Sequence, residues 1–160
     1  MPSIASMVNV DSVLVSVVAS VAASVLYVEY RYRREDSRKA AQEREGWYAE
    51  AAQLGRAVQR TWQTRFQRPN RDAGRVNYDE LQSEMNIYSK QLSNHATEAT
   101  HLEVANEVVA ALETTADACR EVYEIPSSIN SHPAFEKRGD AVMETANELE
   151  EQALDQVQNS

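Results

Sequence analysis

The chain has 160 residues, enough for one domain with a short appendage and too few for a multidomain enzyme with a large interior. It contains 42% hydrophobic and 26% charged residues with a single Cys, so it is neither disulfide-rich nor wholly disordered. The net charge of -9 argues against a nucleic-acid binder as a description of the whole chain.

An uncharged run near the N-terminus is the strongest signal in the sequence. The 17 residues from Ser12 to Val28 carry no charge, and 13 of them are Val, Leu, Ala or Tyr. A helix over this run rises about 25 Å, and the uncharged residues 7–10 extend it toward the roughly 30 Å of a bilayer core. We therefore predict one transmembrane helix over residues 12–30, preceded by a short extracytoplasmic segment, residues 1–11.

The residues at the end of this run are typical of a cytoplasmic membrane boundary, where aromatic and basic side chains are enriched. Residues 1–11 hold no Lys or Arg, so the positive-inside rule predicts an external N-terminus and a cytoplasmic C-terminal domain. A cleaved signal peptide would instead carry its basic residues before the apolar run. The predicted boundary residues are Tyr27, Tyr30, Arg31, Tyr32, Arg33 and Arg34.

Small residues recur at every fourth position of the predicted span. This spacing lets a second helix approach closely, which predicts self-association in the membrane. The alternative is that Ser residues in a membrane helix need no partner. The residues concerned are Ser12, Ser16, Ser20 and Ser24.

Apolar residues recur at three- and four-residue steps through most of residues 31–157, which precede a polar tail, residues 158–160. This spacing predicts three amphipathic helices, at residues 38–66, 78–123 and 133–157.

Local signals set the limits of these helices. The first should end before Pro69, because the residue preceding a proline disfavours helical geometry. Asn77 and Glu80 have the form of a capping box, so the second should begin near Tyr78 and run for about 46 residues. Pro133 suits the first turn of the third helix.

The predicted fold class is all-α, with a single N-terminal transmembrane helix followed by an elongated helical hairpin or three-helix coiled coil. The third helix is too short to cover the second, and many positions on the apolar stripe are Ala, Gly, His or Cys. We therefore expect a second copy of the chain, or a helical protein partner, to bury the exposed part of the stripe.

Charge is divided unevenly along the chain. Residues Tyr30 to Arg75 include 12 basic and six acidic side chains, whereas Val76 to Ser160 include four basic and 17 acidic ones. One interpretation is that the basic helix lies against the acidic ones. The other is a surface for phosphate or anionic lipid, although no nucleic-acid motif accompanies it. Its residues would be Arg56, Arg60, Arg65, Arg68, Arg71, Arg75, Trp62 and Phe66.

The acidic excess, with 13 Arg and three Lys, resembles the composition of proteins from salt-loaded cytoplasms such as those of halophilic archaea. This is a resemblance in composition and implies no family.

No catalytic constellation is evident. Glu98 and His101 form one Glu-x-x-His pair, whereas di-iron helical bundles need a second such pair. His95 and Cys119 fall on the apolar stripe, which favours a hydrogen-bonded core histidine and a buried, unreactive thiol. We predict no enzymatic activity, metal ligand or cofactor.

The sequence thus favours a membrane-tethered structural, assembly or partner-binding element. The alternatives are a membrane-tethered binder of nucleic acid or anionic lipid, and a sensor that holds a small ligand between its helices.

Overall fold

The computed structural model describes residues 10–67, 76–129 and 131–159, with side chains from Tyr27 onward except that of Ser127. These ranges are helical and contain no strand, so the predicted all-α class is confirmed. Short 3-10 turns follow two of the helices, and a π-helical turn, Gln63–Gln67, ends the first. The described ranges contain four α-helices: α1 Val10–Trp62, α2 Tyr78–Glu98, α3 Asn106–Tyr123 and α4 His132–Gln158.

The chain divides into two units, Met1–Ala40 and Ala41–Ser160. Within the first unit, α1 is exposed at every residue from Tyr27 to Ala40. The second unit contains the remainder of α1 together with the other three helices.

The predicted transmembrane segment, residues 12–30, is helical because it lies within α1. The side chains of residues 10–26 lie outside those that the structure describes. Among the fully described residues, no helix combines the length and the apolar character needed to cross a bilayer. The span therefore stays a prediction.

The second unit is a four-helix bundle in which each helix runs antiparallel to its neighbours. Consecutive helices are adjacent, and α4 closes the bundle against α1. The contacts that show this order are Trp47 with His95 and Arg65 with Glu84 for α1 and α2; Gln82 with Tyr123 for α2 and α3; Glu107 with Gln156 and Thr115 with Thr145 for α3 and α4; and Arg56 with Glu150 and Trp62 with Gly139 for α4 and α1.

Two features of the helix limits match the sequence. The Oδ1 atom of Asn77 accepts a hydrogen bond from the backbone N–H of Glu80 at 3.2 Å, which caps α2 as predicted. Pro133 lies in the first turn of α4, and the apolar stripe predicted for this helix is buried except for Val157, which is half-buried. The buried stripe comprises Phe135, Gly139, Val142, Ala146, Leu149 and Ala153.

The predicted 46-residue helix is wrong, because the chain reverses direction between α2 and α3. Leu102 is extended, with φ -119° and ψ 140°, after a 3-10 turn. In the turns just before this point, the hydroxyl groups of Thr97 and Thr100 donate to the backbone carbonyls of Ser93 and Thr97. Reversal also lets α3 bury its apolar face against α2.

The three-helix arrangement is therefore replaced by four helices. The buried face of α3 differs in part from the heptad spacing, which predicted Val109 and Tyr123 on the apolar stripe. Val108 and Val122 are buried, whereas Val109 is half-buried and Tyr123 is exposed. Leu92 is fully buried within the chain. The bundle thus covers much of the stripe for which we expected a second subunit, and oligomerisation stays a prediction based on the Ser spacing.

Candidate functional site

The predicted membrane boundary presents exposed aromatic rings on α1. The residues Tyr27, Tyr30 and Tyr32 are 66%, 64% and 64% exposed, and Val28 beside them is 49% exposed. Rings with an apolar body and a hydroxyl tip are favoured where hydrocarbon meets water. Their exposure on the described part of α1 provides such groups next to the uncharged run.

The arginines of this boundary differ in their partners. Arg31 Nε lies 3.1 Å from Glu35 Oε1, and Arg33 Nη2 lies 2.6 Å from Glu29 Oε1. Both are exposed i,i+4 pairs, which contribute little to stability. Arg34 has no ion-pair partner among the described residues. The Lys and Arg excess that predicts orientation is unaffected by these pairs, because acidic residues contribute little to that rule.

The structure does not describe the side chains of the predicted helix-packing stripe. The side chains of Ser12, Ser16, Ser20 and Ser24 lie outside those that the structure describes.

The aromatic residues of the predicted anionic-partner surface are in the core. Trp62 and Phe66 are buried, with ring centroids 4.8 Å apart. The Trp62 ring packs against Gly139, and Phe66 stacks on His132 with centroids 4.5 Å apart. Their assignment to a surface is therefore wrong, because neither ring is accessible for stacking on a base.

Arg56 of the predicted surface binds an acidic residue of α4. Its Nε and Nη2 atoms lie 2.9 and 2.6 Å from Glu150 Oε1. Gln59 Nε2 donates to the other oxygen of Glu150 at 3.1 Å. This guanidinium therefore helps to align α1 with α4.

Arg65 makes the corresponding contact with α2. Its Nη2 atom lies 2.8 Å from Glu84 Oε1 and 3.0 Å from Glu80 Oε1. The hydrogen bond and the charge of Glu84, with the charge of Glu80, raise the pKa of Arg65. The basic part of α1 thus lies against acidic helices at both described contacts.

Of the four remaining basic residues of the predicted surface, the structure describes one. Arg60 is exposed, and the described residues provide no ion-pair partner for it. Three further members lie outside the described residues: Arg68, Arg71 and Arg75.

Reciprocal polar contacts join α1 and α2 at the other end of the bundle. The indole Nε1–H of Trp47 donates to the backbone carbonyl of His95 at 3.2 Å, and His95 Nε2 lies 3.0 Å from the backbone carbonyl oxygen of Trp47. The two rings stack with centroids 4.8 Å apart. His95 Nδ1 also lies 3.3 Å from Glu98 Oε2. The prediction of a hydrogen-bonded core histidine is confirmed.

Tyr48 completes this end of the bundle and was not predicted as a core residue. Its hydroxyl oxygen accepts a hydrogen bond from the backbone N–H of Ala105 at 2.7 Å, just before α3. A tyrosine one residue after Trp47 falls beside the main apolar stripe, so helical spacing alone did not reveal this contact.

Cys119 is fully buried, as predicted. Burial raises the pKa of its thiol to about 12, so at neutral pH it is protonated and a poor nucleophile. Glu98 and His101 are exposed, and the described residues contain no group of three or more His, Cys, Asp or Glu that could hold a metal ion.

A groove of about 340 Å³ lies between α2 and the end of α3, at residues that the sequence did not single out. Charged and neutral polar groups line it together with one aromatic ring. The lining residues are Asn86, Ser89, Lys90, Ser93, Asn94, Arg120, Tyr123 and Glu124.

Comparison of the chain with protein-family models, curated proteins and solved structures finds no match. A functional assignment therefore depends on the chain's own residues.

Proposed function

We propose that the protein is a single-pass membrane-anchored helical bundle that acts as a structural, assembly or partner-binding element rather than as an enzyme. The observation that carries this proposal is the order of features in α1. An uncharged run of 17 residues is followed by exposed Tyr and Arg side chains and then by the residues that enter the bundle core.

The first support is the chemistry of the boundary. An apolar run flanked by aromatic and basic residues has the composition of a membrane helix with its basic end in the cytoplasm. In this proposal the helix over residues 12–30 lies in the bilayer, and Tyr27, Tyr30 and Tyr32 lie at the lipid headgroups.

The second support is that the histidine and the cysteine in the bundle core are held in structural contacts. His95 binds main-chain and carboxylate oxygens, and the thiol of Cys119 is buried and protonated. Both residues therefore have structural roles. A bundle of this kind offers surfaces and grooves for binding, which favours a tethered binding or assembly element over a catalyst.

Fractionation of the full chain tests the anchor. We expect the wild-type protein to pellet with membranes, to resist extraction by high salt and to be released by detergent. Replacement of both Val17 and Val21 by Lys should move it to the supernatant, because each Lys at the centre of a membrane helix costs about 2.5–3.5 kcal/mol.

A matched control adds the same charge outside the predicted span. Ala40 and Ala41 are exposed on α1, so their replacement by Lys should leave the protein in the membrane fraction. Wild-type protein that stays in the supernatant without detergent would overturn the anchor.

The alternative binder of nucleic acid or anionic lipid is less well supported. Trp62 and Phe66 are buried, and Arg56 and Arg65 bind acidic residues of the same chain. Arg60 is the described member whose head group has no such partner. Tight, salt-sensitive binding of anionic vesicles that is lost with Arg60→Glu would favour this alternative.

A further inference from the structure

Just after the uncharged run, one face of α1 is made only of aromatic and basic residues. Its members stand at positions i, i+3, i+4, i+7 and i+11, which fall on one side of a helix with 3.6 residues per turn. All five are exposed, so the described parts of the chain leave this face uncovered. The boundary face consists of Tyr27, Tyr30, Arg31, Arg34 and Arg38.

The acidic residues of this segment do not neutralise the last two arginines of the boundary face. Asp36 is two residues from both Arg34 and Arg38, and residues two apart on a helix do not face each other. Glu29 and Glu35 each bind a different arginine four residues away. Arg34 and Arg38 therefore have no ion-pair partner among the described residues.

These two guanidinium groups are suited to a shared phosphate. Arg34 and Arg38 are four residues apart, so their Cβ atoms are separated by about 5–6 Å and their like charges repel each other. An anion held between them offsets this repulsion. Guanidinium groups present paired N–H donors that match the spacing of phosphate oxygens.

The position of the two arginines along α1 matches the headgroup layer of a bilayer. Arg34 and Arg38 come about 6 and 12 Å after Tyr30 along the helix axis. Each polar layer of a bilayer is about 5–8 Å deep. Side chains of a helix point back toward its N-terminus, and long arginine side chains extend further. In the proposed anchor both guanidinium groups therefore reach the lipid phosphates.

We propose that the boundary face selects anionic phospholipids from the bilayer. Arg34 and Arg38 bind the lipid phosphate, while Tyr27 and Tyr30 lie against the adjoining apolar part of the lipid. A zwitterionic headgroup brings a cation that the arginines repel, whereas an anionic headgroup does not. This inference rests on the proposed membrane anchor and adds a choice of lipid to it. It concerns residues other than those of the surface predicted at positions 56–75.

Spin-labelled lipids test this choice. The full chain is reconstituted in phosphatidylcholine vesicles with a trace of spin-labelled phosphatidylglycerol or phosphatidylcholine, and electron paramagnetic resonance measures the fraction of each label immobilised by the protein. We expect about fivefold stronger association of phosphatidylglycerol, the factor that one arginine near the surface provides, decreasing as salt is added. Displacement of the label by a short DNA duplex would overturn the proposal and indicate nucleic acid as the partner.

Two double variants localise the binding. Arg34→Gln combined with Arg38→Gln should make the two lipids associate equally, with helicity unchanged by circular dichroism. Arg33→Gln combined with Lys39→Gln is the matched control, because it removes the same charge at nearly the same depth from outside the boundary face. The control should keep the preference. An equal loss in both double variants, or no preference in the wild type, would overturn the proposal.

Flotation separates the choice of lipid from the anchor. Wild-type protein that does not float with phosphatidylcholine vesicles would overturn the anchor. If that protein floats with phosphatidylglycerol vesicles and the Arg34→Gln, Arg38→Gln variant does not, the boundary face binds anionic lipid without an anchor. Protein that floats with neither kind of vesicle would overturn both proposals.

Discussion

The two ends of the four-helix bundle are held together by different physical means. At the end where α1 finishes and α4 begins, Trp62 and Phe66 pack among rings and against a glycine. At the end where α2 finishes and α3 begins, Trp47, His95 and Tyr48 form hydrogen bonds with backbone groups. The first end should therefore be sensitive to added volume and the second to the loss of single polar atoms.

The closest contact at the ring-packed end involves Gly139. A Cβ atom at this position would overlap Cζ2 and Cε2 of the Trp62 ring. The helices α1 and α4 approach as they do because position 139 has no side chain. Tyr78 and Phe135, with centroids 4.5 Å apart, extend the same packing toward α2.

The largest effect is expected for Gly139→Ala. The added methyl group would displace the Trp62 ring or separate α1 from α4, which we expect to lower the free energy of unfolding by about 3 kcal/mol. Urea unfolding of the full chain, followed by circular dichroism, measures the change. Gly46→Ala is the control, because no atom lies within 4 Å of a Cβ there and Ala favours a helix by about 1 kcal/mol. Equal stability of the two variants would contradict this description of the ring-packed end.

Trp47→Phe should have the next largest effect. The substitution keeps an aromatic ring near His95 but removes the Nε1–H that donates to the His95 carbonyl, which we expect to cost about 2 kcal/mol. A double-mutant cycle with His95→Gln should give a coupling energy of about 1 kcal/mol, because the two residues share reciprocal contacts. Additive effects would show that the two contacts act independently.

Tyr48→Phe isolates one hydrogen bond at the same end. Loss of the hydroxyl leaves the backbone N–H of Ala105 without its acceptor, and we expect a cost of about 1.5 kcal/mol. Tyr123→Phe is the matched control, because the Tyr123 hydroxyl has no hydrogen bond to the described residues, and it should change stability by less than about 0.5 kcal/mol. Similar costs for both substitutions would mean that the Ala105 contact contributes little.

The smallest effect depends on pH. The thiol of Cys119 has a pKa raised to about 12 by burial, against 9.0 when unperturbed. Above pH 9 the thiol ionises only in the unfolded chain, so its contribution to stability is complete below pH 9 and is lost as the pH rises toward 12. The destabilisation caused by Cys119→Ala should therefore be smaller at pH 10 than at pH 8 by roughly 1 kcal/mol. A difference that does not change with pH would contradict the raised pKa.

Helical spacing predicted α4 well because its buried face repeats regularly from Phe135 to Ala153 and no other element interrupts it. The break between α2 and α3 was not predicted, because no Gly or Pro lies there to interrupt the helical spacing. Whether the chain reverses at Leu102 depends on how well α3 can pack on helices distant in sequence. Once the chain reverses, the buried face of α3 follows the packing of the bundle and no longer follows the spacing of α2.

The predicted site residues also depended on contacts between helices that the sequence does not show. Trp62 and Phe66 fit the spacing of Val58 on the core face, so their assignment to a basic surface conflicted with the helical pattern itself. The roles of Arg56 and Arg65 required knowledge of which acidic residues lie opposite them. The groove between α2 and α3 could not be located from the sequence, because its lining residues come from two helices whose packing against each other the sequence does not show.

The contact between Trp62 and Gly139 also has a consequence for the order in which the protein is made. These residues are 77 positions apart, since 139 minus 62 is 77. At about 5 to 20 residues per second, ribosomes need roughly 4 to 15 seconds to synthesise the intervening chain. During this delay the side of α1 that will meet α4 is already made and still uncovered. A nascent chain with this side of α1 uncovered is prone to aggregation and accessible to a folding factor.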